Sequence, residues 1–256
     1  MEASHDRVAG LDVHKQSVVA CLRLQSGKRV ERECRTFDTT TAGLEALLGW
    51  LDEIGCSHVA MEATGVYWQP VWRILSEGSF DLVLANAAHI KNVPGRKTDM
   101  NDATWIADLL AHGLIKASFV PAPEMQDLRT LLRTRKQLVR EQTRNVQRMQ
   151  KALEQANIKL DTVISHIVGQ SGRRMLGAMI AGESNPAVLA GLADRRVKAT
   201  WDELREALRG HLSATHRFLL QTHLTQWDAL DASVKAIDQQ VDTLIGGFHR
   251  PRDFAC

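Results

Sequence analysis

Four acidic residues stand where acids are costly unless they have work to do. Asp12 closes the apolar run of Ala9-Gly10-Leu11-Asp12-Val13-His14-Lys15, and Glu62 closes a second one, Val59-Ala60-Met61-Glu62-Ala63-Thr64-Gly65. Asp99 and Asp102 open a helical stretch in Lys97-Thr98-Asp99-Met100-Asn101-Asp102-Ala103. Their spacing of three puts both carboxylates on one helix face. Each acid alone has a plainer reading: Asp12 as a turn former, Asp99 and Asp102 as helix caps that favour the positive end of the dipole. A glutamate at the end of a buried strand is harder to explain that way, because burying it costs free energy unless it is paired or bound to metal. Acids at the ends of adjacent strands and on a neighbouring helix can converge on one edge of an α/β sheet. Such a set suits hard divalent ions, which take oxygen ligands and clamp the attacking and leaving oxygens of a phosphodiester. At least three of the carboxylates are then expected within reach of one ion.

The elements needed to position these acids are legible. Arg7–Val13, Ser17–Leu24 and Arg29–Phe37 read as a three-strand meander, the last two joined by a turn at Gly27-Lys28. Thr39–Thr41 offers caps for a helix with Leu44, Leu47, Leu48 and Leu51 on one face, stopped by Gly55. A strand at His58–Met61, a helix from about Val66 to Ser76, a strand at Phe80–Leu84 and a helix from Asp99 to Ala111 follow. This is the element order of a ribonuclease-H-like α/β fold, assigned to residues 1–120.

Beyond Pro121 the pattern changes. Glu124 to Ile158 contains neither Gly nor Pro and reads as one long helix, with Leu132, Val139, Val146 and Leu153 recurring every seven residues. From Trp227 the series Leu230, Val234, Ile237, Val241, Leu244 steps alternately by four and three. Between these helices, Asn185-Pro186 and the capping box Thr200-x-x-Glu203 start shorter ones. Residues 121–246 are thus expected to form an all-helical coiled-coil arm, with 247–256 an irregular tail.

The formal net charge of the 256-residue chain is only +2, so a nucleic-acid partner must be argued from a local patch. One exists. Between Glu124 and Leu160 there are nine basic residues against four acids. Six of the nine (Arg133, Lys136, Arg140, Arg144, Arg148 and Lys151) step by three or four and form a stripe able to track a phosphate backbone. Otherwise the stripe is a solvated helix face, or is paired with Asp228, Asp231, Asp238 and Asp242 of the later helix. Aromatic residues make up 5% of the chain, too few for base-stacking platforms. Cys21, Cys34, Cys56 and Cys256 form no CxxC pair and are expected as reduced thiols. With neither a signal peptide nor a membrane span in the sequence, a cytoplasmic protein is expected.

Gly10-Leu11-Asp12-Val13-His14-Lys15, Met61-Glu62-Ala63-Thr64-Gly65 and Lys97-Thr98-Asp99-Met100-Asn101-Asp102-Ala103 together resemble the DEDD insertion-sequence transposases (the IS-one-ten class, relatives of the Piv invertases), over residues 7 to about 160. The resemblance implies a RuvC-like domain binding Mg²⁺, or Mn²⁺ in its place, through Asp12, Glu62, Asp99 and Asp102. It also implies DNA strand cleavage and transfer guided by a structured RNA, in a homodimer or higher homo-oligomer. The family continues into a domain carrying a catalytic serine, which no position here matches; the expectation is a truncated chain. Two alternatives stay open, a RuvC-like junction nuclease and a non-catalytic nucleic-acid-binding remnant. His14, beside Asp12, is a candidate neighbour of metal-bound water or substrate phosphate, or a supporting loop residue. Ser171 reads as a loop serine.

Overall fold

The computed structural model describes residues 4–63, 65–92 and 101–248. The chain divides into two compact units, Met1–Val120 and Pro121–Cys256.

In the first unit, β1 (Arg7–Val13), β2 (Ser17–Ser26) and β3 (Arg29–Asp38) form the expected antiparallel meander. Next come α1 (Thr41–Ile54), β4 (His58–Glu62), α2 (Trp68–Leu75), β5 (Asp81–Ala85), α3 (Ala87–Asn92) and α4 (Asp102–Ala111). The five strands make one mixed sheet in the order β3-β2-β1-β4-β5, with β1, β4 and β5 parallel. Charged β3 (RVERECRTFD) lies at the sheet's edge, where charge discourages pairing with another chain.

Strand alternation sorts the side chains onto two faces. Ala9, Leu11 and Val13 of β1, with Val59 and Met61 of β4, pack into one cluster with Leu44, Leu47 and Leu51 of α1 and Val71 and Leu75 of α2. Val8 and Ala60 take the opposite face with Trp105, Ile106, Leu109 and Leu110 of α4. Helix α1 is capped by Thr40, whose side chain accepts the Gly43 N–H, and ends at Gly55 in the left-handed conformation (φ 71°).

Several expectations change. Helix α3 was not foreseen; Asn86 starts it, its side chain accepting the Ala88 N–H. Cys21 and Cys34 are not separate reduced thiols: the hairpin register sets them directly opposite one another, where they form a disulfide, while Cys56 is free and buried. Their separation of 13 residues matches no motif, because the pairing is made by the turn at Gly27.

The second unit begins with α5 (Pro123–Gln155), followed by α6 (Leu160–Val163), α7 (Gln170–Ile180), α8 (Pro186–Ala190), α9 (Trp201–Ala207) and α10 (Ala214–Phe248). Helix α10 runs two residues into the segment expected to be irregular. Asn185 caps α8, and the Thr200–Glu203 capping box is formed. Helices α5 and α10 run antiparallel: Arg135 meets Asp238, Gln142 meets Asp231 and Asn145 meets His223. The seven-residue repeat on α5 is buried only towards its C-terminal end, with Leu153 2% exposed but Val139 36% and Leu132 46%. Met149, Leu153, Met175, Leu176, Leu204 and Leu220 centre the core of this unit. Ser171 belongs to α7 rather than a loop; it is buried, its hydroxyl accepting the Asp194 N–H. Among the described residues no helix is long and apolar enough to cross a membrane.

Candidate nucleic-acid processing site

Asp12 lies inside β1, paired with Val19 across the β1–β2 ladder, so it does not form a turn. The turn comes after it, where the His14 N–H donates to the Ser17 carbonyl. Parallel pairing of β1 with β4 sets Leu11 beside Met61. The next residue on each strand is an acid, Asp12 and Glu62, at the C-terminal ends of neighbouring parallel strands. Alternation gives Asp12 the face of Val8 and Gly10, and Glu62 the face of Ala60. Both acids therefore share one face, at the strand ends where α/β sheets commonly bind ligands.

Helix α4 covers that face at very close range. A Cβ on Gly10 would stand 2.2 Å from the Ala103 carbonyl oxygen and 2.4 Å from the Ala107 nitrogen. Only glycine lets this helix backbone lie on β1. Asp102 is the first residue of α4, immediately before Ala103, and is exposed. Asn101, not Asp102, is the N-cap, its side chain accepting the Ala103 N–H at 2.9 Å, while Asp102 lies in the first turn, where the helix dipole favours an acid. Asp99 lies outside the described residues. His14 Nε2 approaches Asp12 Oδ2 to 3.2 Å; the Asp12 side chain is 25% exposed and that of His14 58%.

Three polar residues that the sequence reading passed over hold α4 in place. Arg23 of β2, 4% exposed, donates from Nε to Asp108 Oδ1 at 3.1 Å. Arg32 of β3 donates to the same carboxylate at 2.9 and 3.2 Å. The signal was present: Arg23 interrupts the apolar run of β2 and Asp108 the apolar run of α4, and two opposite charges on buried faces imply each other. Thr104 Oγ1 adds a contact to Cys21 Sγ at 3.0 Å.

The donors on this face are carboxylate oxygens, the chemistry that Mg²⁺ and Mn²⁺ prefer. Among the described residues, however, no three His, Cys, Asp or Glu side chains are gathered closely enough to hold a metal ion. The expectation of three converging carboxylates is not met within them.

In the second unit all six residues of the basic stripe are exposed, and none makes an ion pair among the described residues. Three of the four acids of α10 are engaged elsewhere. Asp238 pairs with Arg135, outside the stripe, and that hydrogen bond holds its carboxyl below the usual range. Lys235 does the same for Asp231, and Arg173 takes Asp228 while stacking on Trp227. The stripe is thus not neutralised by its partner helix.

A family model described as a transposase, of the DEDD type of IS110 elements, matches residues 9–158. The chain belongs to the DEDD transposase family. The matched span takes in Asp12, Glu62, Asp99 and Asp102 and, within α5, the whole basic stripe. No curated protein matches this chain. Among solved structures it is similar to T. thermophilus RuvC in complex with a Holliday junction substrate. That match has 15% identity and a TM-score of 0.32, covering 43% of this chain and 94% of the other.

Proposed function

We propose that the chain is a DNA transposase or recombinase whose ribonuclease-H-like, RuvC-like first unit cleaves and transfers strands at Asp12, Glu62, Asp99 and Asp102. The reading is supported chiefly by the placement of Asp12 and Glu62 at the ends of adjacent parallel strands, on the face against which α4 packs. Asp12, Glu62 and Asp102, joined by Asp99, would hold Mg²⁺, or Mn²⁺ in its place. A divalent ion held there would supply positive charge to the scissile phosphate and would lower the pKa of an attacking hydroxyl or water. The protein's own part is positional: His14 orients the Asp12 carboxylate, and Gly10 with the Arg23–Asp108 pair sets the depth at which α4 sits.

The stripe from Arg133 to Lys151 serves as the phosphate-backbone contact for DNA and for a structured guide RNA. Support comes from its exposure and from the absence of an ion pair on any of the six among the described residues. Self-association into a homodimer or larger assembly is supported by Leu132 and Val139, apolar repeat positions that α10 leaves exposed. The two long helices would then act as a coiled-coil arm.

The test is isothermal titration of the chain with Mg²⁺ and Mn²⁺, followed by metal-dependent cleavage of element-end DNA. Asp12→Ala and Glu62→Gln should each weaken metal binding and abolish cleavage. Wild-type-like titration by both variants would remove the site.

A further inference from the structure

Helices α5 and α10 do not close completely against each other. Near the middle of their contact lies a cleft of about 480 Å³, with Glu141, Arg144, Asn145 and Arg148 on one wall and Gln226 and Ser233 on the other. This volume is in the range of small-molecule sites, enough for one nucleotide and far too small for a duplex or another helix.

The polar groups that line it keep unused hydrogen-bonding capacity of both signs. Asn145 is 5% exposed. Its Oδ1 lies 3.2 Å from His223 Nδ1, and its Nδ2 donates to the Glu141 carbonyl at 3.1 Å, leaving one amide hydrogen over. Ser233 donates its hydroxyl to the Ala229 carbonyl and keeps its lone pairs. Among the described residues the Glu141 carboxylate makes no ion pair, although Arg144 lies one turn away. Ala229 and Leu230 supply apolar surface.

A bare phosphate does not fit this set, because Glu141 would repel it. An apolar helix does not fit either, because it would bury Asn145 and Glu141 without partners. Mixed donors and acceptors beside apolar surface match the edge and face of a nucleobase, where a carboxylate accepts from an exocyclic amine and amides serve both functions. Arg144 and Arg148 stand one turn apart on α5, exposed, and would hold the phosphates flanking that base. We propose that this cleft takes a single unstacked nucleotide, its base between α5 and α10 and its phosphates on Arg144 and Arg148. The proposal rests on the nucleic-acid reading of the stripe and adds recognition of a base to it.

Fluorescence anisotropy of the full chain tests it with labelled DNA and RNA stems of three kinds: fully paired, carrying one bulged nucleotide, and carrying an abasic bulge. Wild type should bind the base-bearing bulge at least tenfold more tightly than the abasic one. Ala229→Phe fills the cleft while keeping both arginines; it should bring that ratio to about one and leave binding of the paired stem within twofold. Gln226→Ala, a milder change, should reduce the ratio several-fold, and circular dichroism confirms that each variant is folded. Whichever of the DNA and RNA series shows the preference identifies the strand. Equal wild-type affinity for base-bearing and abasic bulges, or a preference that survives Ala229→Phe, overturns the nucleotide site and leaves the stripe standing. Failure to bind any stem overturns both.

Discussion

Gly10→Ala changes one hydrogen for a methyl group, yet it strikes the contact on which the proposed site would depend. The added carbon would lie 2.2 Å from Ala103 O and 2.4 Å from Ala107 N, where ordinary van der Waals contact begins near 3.4 Å. Both atoms are helix backbone, so no side-chain rotation relieves the clash. Helix α4 must retreat from β1 by about 1 Å, taking Asp102 with it. Overpacking of this kind costs about 1–3 kcal/mol of stability. Misplacing a reacting group by about 1 Å costs on the order of a hundredfold in rate. The variant should therefore remain folded, melt several degrees lower, bind Mg²⁺ more weakly and cleave element-end DNA about a hundredfold more slowly. Thermal denaturation, metal titration and a cleavage time course measure the three effects separately. Wild-type metal affinity and rate in a variant that has lost stability would show that α4 does not position the site.

The Arg23–Asp108–Arg32 cluster should divide unequally. Asp108→Ala strands Arg23 in the interior and should cost about 3–5 kcal/mol in urea denaturation, whereas Arg32→Ala, removing a side chain 44% exposed, should cost about 1 kcal/mol or less; equal losses would contradict the buried pair. His58 is held below its ordinary value of 6.5, first by burial and then by the charge of His5, with Asp81 opposing. Because the folded state disfavours its protonated form, its contribution is present above about pH 6.5 and is lost as pH falls through the lowered folded value. His58→Gln should flatten that acid-side decline in denaturation midpoint, and an unchanged slope would place the decline elsewhere. Arg140→Glu with Arg144→Glu should weaken nucleic-acid binding and make log K fall less steeply with log salt; an unchanged slope would mean that the stripe only faces solvent.

The strands of the first unit were readable because their apolar alternation is local and their turns carry marked residues such as Gly27. That Asp12 and Glu62 stand at the ends of two strands was readable for the same reason, each being an acid that breaks an apolar run. What could not be read was depth. That Gly10 rather than any other small residue faces α4 depends on an approach made by a helix more than ninety positions further on. The Arg23–Asp108 pair, 85 residues apart in sequence, depends on the same packing. Cys21 and Cys34 meet through hairpin register, which spacing motifs do not encode. On α5 the seven-residue repeat correctly marked an apolar side. It did not reveal that Leu132 and Val139 stay exposed, because a repeat specifies which residues share a face and leaves open how much of that face a single partner helix covers.

The near-neutral total charge hides how that charge is distributed. Thirty-two basic residues against thirty acidic ones conceal a stripe of six cations only if the balancing acids are occupied elsewhere. On α10 three of them are: Asp238 is taken by Arg135, Asp231 by Lys235 and Asp228 by Arg173. Arg135 is the informative case. It is a basic residue of the same helix as the stripe, turned towards α10 and neutralised there, while Arg133 and Lys136 on either side of it are exposed and make no ion pair among the described residues. Helical geometry makes the difference, since a step of one or two residues rotates a side chain by about 100–200° around the axis. The segregation of paired from unpaired cations on α5 is thus a property of which face each occupies. A face of exposed, unpaired cations costs self-repulsion that ion pairs with α10 would have relieved, which is a reason to look for its counter-charge outside the chain.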